Sequence, residues 1–114
     1  PMVNVIWQGD AAAQILRALR HCTSPTSPLN IGGPDHVTIA TLARIFAARF
    51  GKEPILAGRP ADTAWINDTT RATRLFGPPT VSLDQMVAWT ADWVERNMPN
   101  YGKPTRCEVR DGRF

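Results

Sequence analysis

The sequence contains two cysteines and no long apolar run, and both shortages exclude classes of protein. Cys22 and Cys107 lie far apart and match neither a metal-ligand spacing nor the dense framework of a disulfide-rich secreted domain. No apolar stretch approaches the roughly 18 residues that a transmembrane helix needs. We therefore expect free thiols in a reducing cytoplasm and no membrane partner.

The sequence also lacks a strong charge of either sign. Its formal net charge is +3 over 114 residues. The last 17 residues hold four basic and two acidic side chains, so most of the excess lies in this tail. Phosphate-backbone binding needs a basic stripe, which is missing. Residues 38–51 resemble the first half of a helix-turn-helix, but a strand candidate follows where the recognition helix should be. We expect no nucleic-acid partner.

What is present is enough for one small domain, since 43% of the residues are hydrophobic. The first predicted helix covers about residues 11–22 and has Asp10 as its N-cap. Its predicted inner face consists of Ala12, Ile15, Leu16 and Leu19. The prolines of residues 23–28 predict a loop after it.

Three more helices are predicted from capping residues. Thr38 and Gly51 bound the second, Asp68 and Gly77 bound the third, and Ser82 with Gln85 forms a capping box for the fourth. The predicted inner face of the fourth helix consists of Leu83, Met86, Val87, Thr90, Trp93 and Val94.

Two or three short strands complete the prediction. The alternation of Val3, Val5 and Trp7 indicates an extended opening segment, and residues 29–31 and 54–57 are further candidates. Such short strands form a marginal sheet alone, so they are better interpreted as parts of a larger sheet. Because the sequence opens as if within a strand, we expect a fragment of a longer α/β protein, with a helix-rich α+β composition.

The second half carries an ordered set of motifs: Gly58-Arg59-Pro60-Ala61-Asp62, then residues 68–77 (DTTRATRLFG), then Ser82-Leu83-Asp84. This order resembles the C-terminal end of NAD-dependent epimerases and dehydratases of the extended short-chain dehydrogenase/reductase family. There, Arg-Pro-Gly-Asp leads into an Asp-x-x-Lys-Ala helix, a Leu-Gly stop and a last helix that begins Ser-Leu. The resemblance implies that residues 1–97 are the substrate-binding lobe of a Rossmann-type enzyme and that residues 98–114 are an extended tail.

The resemblance also implies where the chemistry is missing. Gly32-Gly33 leads into Pro34 and lacks the third glycine of a dinucleotide site. The family's Tyr-x-x-x-Lys pair is absent, because Thr105 follows Tyr101, the one tyrosine, where the lysine should be. We expect no catalytic residue, no cofactor site and no metal site in this chain. The intact protein would bind NAD or NADP in an N-terminal dinucleotide-binding domain.

Neither histidine stands beside a recognisable nucleophile. His21 lies near the end of the first helix, where its charge would complement the helix dipole, and His36 lies in the turn after Gly33.

The expected role of the chain is substrate binding. In the family, the arginine reaches the diphosphate of a nucleotide sugar and the aspartate reaches its ribose, which places these roles on Arg59 and Asp62. Trp7 and Gln8 precede the first helix at a junction that borders the substrate cleft in the family. Packing for Trp7 and an exposed loop for Arg59 and Asp62 are the structural alternatives.

A different class of function is a non-catalytic interaction or oligomerisation module. A missing domain would leave an apolar face and an unpaired strand edge, and both favour association with a partner or a second copy. We expect a homo-oligomer under either interpretation.

Overall fold

The chain has an α+β fold, seen in a computed structural model that describes residues 1–104. Within this range, four α-helices accompany one two-stranded sheet. Much of the predicted tail, together with Thr105 and Cys107, lies outside the described residues. The elements in chain order are β1 (Met2–Asn4), α1 (Gln8–Ala18), β2 (His36–Thr38), α2 (Ile39–Phe50), α3 (Thr70–Phe76) and α4 (Leu83–Glu95).

Strand β1 has a partner on each edge. It pairs antiparallel with β2, with Val3 opposite Val37. On its other edge, Val3 forms a parallel bridge with Trp65, whose amide donates to the Met2 carbonyl at 2.8 Å. The predicted opening strand is confirmed, although it is shorter than the alternation suggested.

Two other strand predictions are wrong. Residues 29–31 and 54–57 form no ladder. Asn30 instead donates its side-chain amide to the Asp68 carbonyl, and Ile55 is 95% exposed. The observed second strand, β2, was not predicted because its three residues lead directly into a helix and show no alternation of their own.

The helix caps are where sequence and structure agree best. The Thr38 hydroxyl accepts the Thr41 amide at 3.0 Å, and Gly51 ends α2 in the left-handed region with φ of 61°. The Ser82 hydroxyl accepts the Gln85 amide at 3.2 Å at the start of α4. Glycine ends α3 as well, since Gly77 has φ of 80°. These short-range contacts confirm both predicted ends of α2 and the predicted start of α4, where the Ser82 half of the capping box is formed.

Asp10 does not cap its own helix, so the predicted start of α1 is wrong. The helix begins at Gln8, which places Asp10 in the first turn, where it is buried. Its carboxylate accepts the amide of Thr80 at 3.0 Å, the hydroxyl of Thr80 at 2.6 Å and the amide of Val81 at 2.9 Å. Asp10 therefore fastens α1 to the segment that precedes α4.

The third helix starts at Thr70, one residue later than a cap at Asp68 would place it. The Asp68 carboxylate accepts the amide of Thr70, the first residue of α3, at 3.0 Å. Asp68 therefore does bind the helix start, with Thr69 between them.

The core is thin, and the predicted inner face of α1 is wrong. Ile15, Leu16 and Leu19 are all more than half exposed, whereas Asp10 and Gln14 are buried. Residues four apart lie on one helical face, so the hydrogen bonds of Asp10 turn that polar face inward. The buried apolar residues of the described chain are Val37, Ala47, Ala72, Val87 and Ala91.

The inner face of α4 is right in part. Val87 is buried as predicted, but Trp93 and Val94 are exposed, and Ala91 is the second buried residue. No helix within residues 1–104 has the length and apolarity that crossing a bilayer would require.

Candidate functional site

One side chain links β1 to two other segments of the chain. The Asn4 side-chain amide donates to the carbonyl oxygens of Gly33 at 2.9 Å and Asn67 at 3.0 Å. Its carboxamide oxygen accepts the Asn67 amide at 3.1 Å. We call this group of Asn4, Gly33, Trp65 and Asn67 the Asn4 joint. Sequence reasoning missed it because a single asparagine in a strand gives no sign of partners 29 and 63 residues away.

The Asn4 joint needs a glycine at position 33. A Cβ atom there would overlap the carbonyl oxygen of Val5. Gly33 is buried, so no other residue fits without a shift of the backbone. The close approach of the turn to β1 therefore explains this glycine without a bound dinucleotide.

Beside the Asn4 joint lies a cleft of about 490 Å³ at the start of α3, which we call the α3 cleft. This volume falls within the range of small-molecule sites, about 300–1,000 Å³. His36 is exposed and begins β2, so the prediction that it lies in the turn is wrong. The cleft is lined by Pro34, His36, Ile66, Asn67, Asp68, Thr69, Thr70, Thr73 and Arg74.

Asp68 gives the α3 cleft a negative charge. The hydroxyl of Thr70 and then its amide hold the pKa of Asp68 below its ordinary value of 3.8. Burial opposes them, and the positive charge of Arg74 lowers the pKa further by the smallest of the four effects. Asp68 is therefore ionised at neutral pH and accepts hydrogen bonds, as ligand hydroxyl groups would require. The capping pattern predicted Asp68, but the lining threonines and Arg74 gave no signal in the sequence.

Arg59 and Asp62 lie in the irregular segment between α2 and Trp65, an exposed loop of the kind that was their structural alternative. Both are exposed. Neither side chain makes a hydrogen bond or an ion pair with any other residue of the described range. Both charged groups are therefore uncommitted within residues 1–104.

Trp7 and Gln8 lie at the start of α1. The Trp7 ring is 38% exposed and meets Trp89 edge to face, with 5.7 Å between the ring centroids. It also covers Gly9, where a Cβ atom would collide with the indole. Gln8 is exposed. Trp7 thus packs against Trp89, as the structural alternative to its substrate role expected, and it remains partly exposed.

No described contact joins the pair of Arg59 and Asp62 to the pair of Trp7 and Gln8, although each pair lies within six residues of the bridge between β1 and Trp65. Val3 and Trp65 pair in parallel. Asp62 precedes this pairing and Trp7 follows it, so the chain reaches the two pairs from opposite ends of the bridge. Neither pair lines the α3 cleft.

As for metal chemistry, the described range contains no group of three His, Cys, Asp or Glu side chains suited to hold an ion.

Comparisons with protein-family models, with curated proteins and with solved structures gave no match.

Proposed function

We propose that this chain is the substrate-binding part of an NAD(P)-dependent epimerase or dehydratase that acts on a nucleotide sugar. One observation carries the proposal. Arg59 and Asp62, the two residues that the motif order assigns to the substrate, have exposed side chains without internal partners in the described range. The segment that carries them is nevertheless fixed at its end, because Trp65 is hydrogen-bonded to β1.

Each side chain has a distinct chemical role. The Arg59 guanidinium binds the diphosphate, because its planar set of donors matches phosphate oxygens. The Asp62 carboxylate accepts hydrogen bonds from the ribose hydroxyls. Beyond Asp62 the chain runs into Ile66 and Asn67, which line the α3 cleft. The carboxylate and hydroxyl groups that line the α3 cleft offer hydrogen-bond partners for the hydroxyls of the sugar.

The reaction itself belongs to a different part of the intact enzyme. Under this proposal an N-terminal dinucleotide-binding domain supplies NAD or NADP and the proton-transfer residues, so that this chain has no turnover alone. Trp7 and Gln8 would border the substrate at the junction of the two parts. The proposal places the enzyme in the cytoplasm.

A second candidate is an interaction or oligomerisation module, which the exposed side chains of Ile15, Leu16 and Leu19 favour. An apolar helix face is a surface on which another domain or a second copy can dock. The two candidates are compatible, since the lobe of an oligomeric enzyme would carry both surfaces.

Titration of the 114-residue chain with uridine diphosphate glucose tests the substrate site. We expect saturable binding and a loss of about 10- to 100-fold in Arg59→Gln, because charge-assisted hydrogen bonds contribute about 1.5–3 kcal/mol. The Arg44→Gln variant is the matched control, since Arg44 is an exposed arginine on α2.

The cofactor assignment is tested with the same chain. NAD should leave the tryptophan fluorescence unchanged at micromolar concentrations. Saturable NAD binding would contradict the proposed division of labour. A nucleotide-sugar affinity that is absent, or equal in the parent and Arg59→Gln, would contradict the substrate site.

A further inference from the structure

A second cleft lies between the end of α1 and the end of α3. Its volume is about 370 Å³. The 3₁₀ turn Leu19–His21, which continues α1, supplies part of its wall. We call it the α1–α3 cleft. It is lined by Leu16, Arg17, Arg20, His21, Leu75 and Phe76.

The polar side chains of this cleft are all basic. Arg17 and Arg20 are three residues apart and therefore lie on the same side of the helix. No acidic residue lines the cleft. Within the described residues the one ion pair joins Arg96 to Asp92, so neither arginine of the cleft has an internal counterion.

Arg17 is held in place before any ligand binds. Its Nη1 donates to the Phe76 carbonyl at 3.0 Å, and its guanidinium carbon lies 5.0 Å from the centroid of the Phe76 ring. A cation over an aromatic face is attracted by the ring. A guanidinium has several N–H donors and one is used here, so others remain for a ligand. A donor that is already ordered loses less entropy on binding.

The rest of the cleft lining is apolar. Leu16, Leu75 and Phe76 line it. His21 meets the Phe76 ring edge to face, with 5.7 Å between the centroids. The cleft thus combines guanidinium donors with an aromatic and aliphatic surface, which suits a ligand that has an anionic end and an apolar end.

We propose that the α1–α3 cleft binds a small organic monophosphate. The phosphoryl group lies between Arg17 and Arg20, because guanidinium groups match phosphate oxygens in geometry and charge. The apolar part of the ligand packs on Leu75 and Phe76. The end of a helix carries roughly half a negative charge, which the two guanidinium charges outweigh.

This site is separate from the proposed nucleotide-sugar site. It shares no residue with Arg59, Asp62 or the α3 cleft. Its ligand therefore differs from the substrate of the proposed enzyme, and either site can fail its test without the other.

Phenyl phosphate is the probe, titrated into the 114-residue chain and followed by NMR of the backbone amides. We expect saturable binding below about 1 mM, with shifts confined to residues 16–21 and 75–76. Arg20→Gln should weaken binding about tenfold or more, since it removes a charge-assisted partner. Arg20 has no hydrogen bond or ion pair with described residues, so this variant should fold as the parent does.

Two control variants and two control ligands make the result specific. Arg44→Gln and Arg49→Gln, which change exposed arginines on α2, should bind phenyl phosphate as the parent does. Inorganic phosphate should bind several-fold more weakly than phenyl phosphate, because it cannot use the apolar wall, and benzoate should bind more weakly because it has one fewer anionic oxygen. Absence of saturable binding, an unchanged affinity in Arg20→Gln, an equal loss in either control variant, or equal affinity for benzoate would each overturn the proposal.

Discussion

The Asn4 joint and the outer face of α1 place opposite kinds of residue in opposite surroundings. In the joint, one asparagine links three chain segments through hydrogen bonds of 2.9 to 3.1 Å. On the outer face of α1, which we define as Ile15, Leu16 and Leu19, aliphatic side chains point into solvent. The same helix buries Asp10 and Gln14 on its other side.

This contrast shows what holds the described chain together. Asn4 and Asp10 make side-chain hydrogen bonds to partners 29 to 71 residues away, whereas the buried apolar residues of the described range are three alanines and two valines. A hydrogen bond contributes about 0.5–1.5 kcal/mol, and a fully buried Leu or Ile about 1.5–3 kcal/mol. Burial of the exposed aliphatic side chains of α1 would stabilise the fold, and the described chain does not bury them by itself.

The largest effect is expected at the Asn4 joint. Asn4→Ala removes three side-chain hydrogen bonds, which at about 0.5–1.5 kcal/mol each should lower the free energy of unfolding by about 2–3 kcal/mol. Urea denaturation followed by tryptophan fluorescence measures it. Asn30→Ala is the matched control, since Asn30 makes one exposed hydrogen bond to the Asp68 carbonyl. That variant should lose less than about 1 kcal/mol. Equal losses in the two variants would mean that the Asn4 joint contributes no more to the free energy of unfolding than a single exposed hydrogen bond.

A smaller effect, which depends on pH, is expected at Asp10. The Thr80 hydroxyl, assisted by the amides of Val81 and Thr80 and opposed by burial, holds the pKa of Asp10 below its ordinary value of 3.8. The depressed pKa means that the carboxylate stabilises the fold above about pH 4 and that this contribution is lost as the pH falls through the lower, folded-state pKa.

Asp10→Asn tests this directly. The variant should be less stable than the parent at pH 7, by less than Asn4→Ala, because an amide oxygen in the place of Oδ2 still accepts the amides of Thr80 and Val81. The difference between parent and variant should shrink below pH 4. The same comparison should be repeated in Asp68→Asn, because the pKa of Asp68 is lowered as well and adds to the acid sensitivity of the parent. A difference that stays constant down to pH 2.5 would contradict the role of the Asp10 charge.

The sequence predicted those parts of the fold that depend on neighbours a few residues away. Thr38, Gly51 and Ser82 were right because a cap is a contact within one helical turn. The number of helices and their order followed from these signals. Arg59 and Asp62 lie in an exposed loop, which was their structural alternative, and their substrate role stays a prediction.

What failed depends on contacts across long stretches of the sequence. Asp10 has the residue type and position of a cap, yet its partners are 70 and 71 residues away. Those partners fix the rotation of α1, which is why hydrophobic periodicity chose the wrong inner face. The α3 cleft could not be predicted because it forms where β2, the Asn4 joint and α3 meet.

The smallest effect is expected on the outer face of α1. Its size tests whether this face is exposed to solvent or covered in solution. Leu16 is 67% exposed, so Leu16→Ala should change the free energy of unfolding by less than about 0.5 kcal/mol in dilute solution. Val87→Ala is the matched control on α4. Val87 is buried, and the loss of two methyl groups from a packed site should cost about 2 kcal/mol.

If Leu16→Ala were instead as costly as Val87→Ala, this face would be buried in solution, and the contrast with the Asn4 joint would not describe the protein at that concentration. Unfolding measured over a hundredfold range of protein concentration then identifies the cover. A stability that rises with concentration in the parent but not in Leu16→Ala would show that a second copy packs on α1, since association stabilises a fold by mass action. A stability independent of concentration, with little effect of Leu16→Ala, would leave the face open for the domain that the proposed function requires.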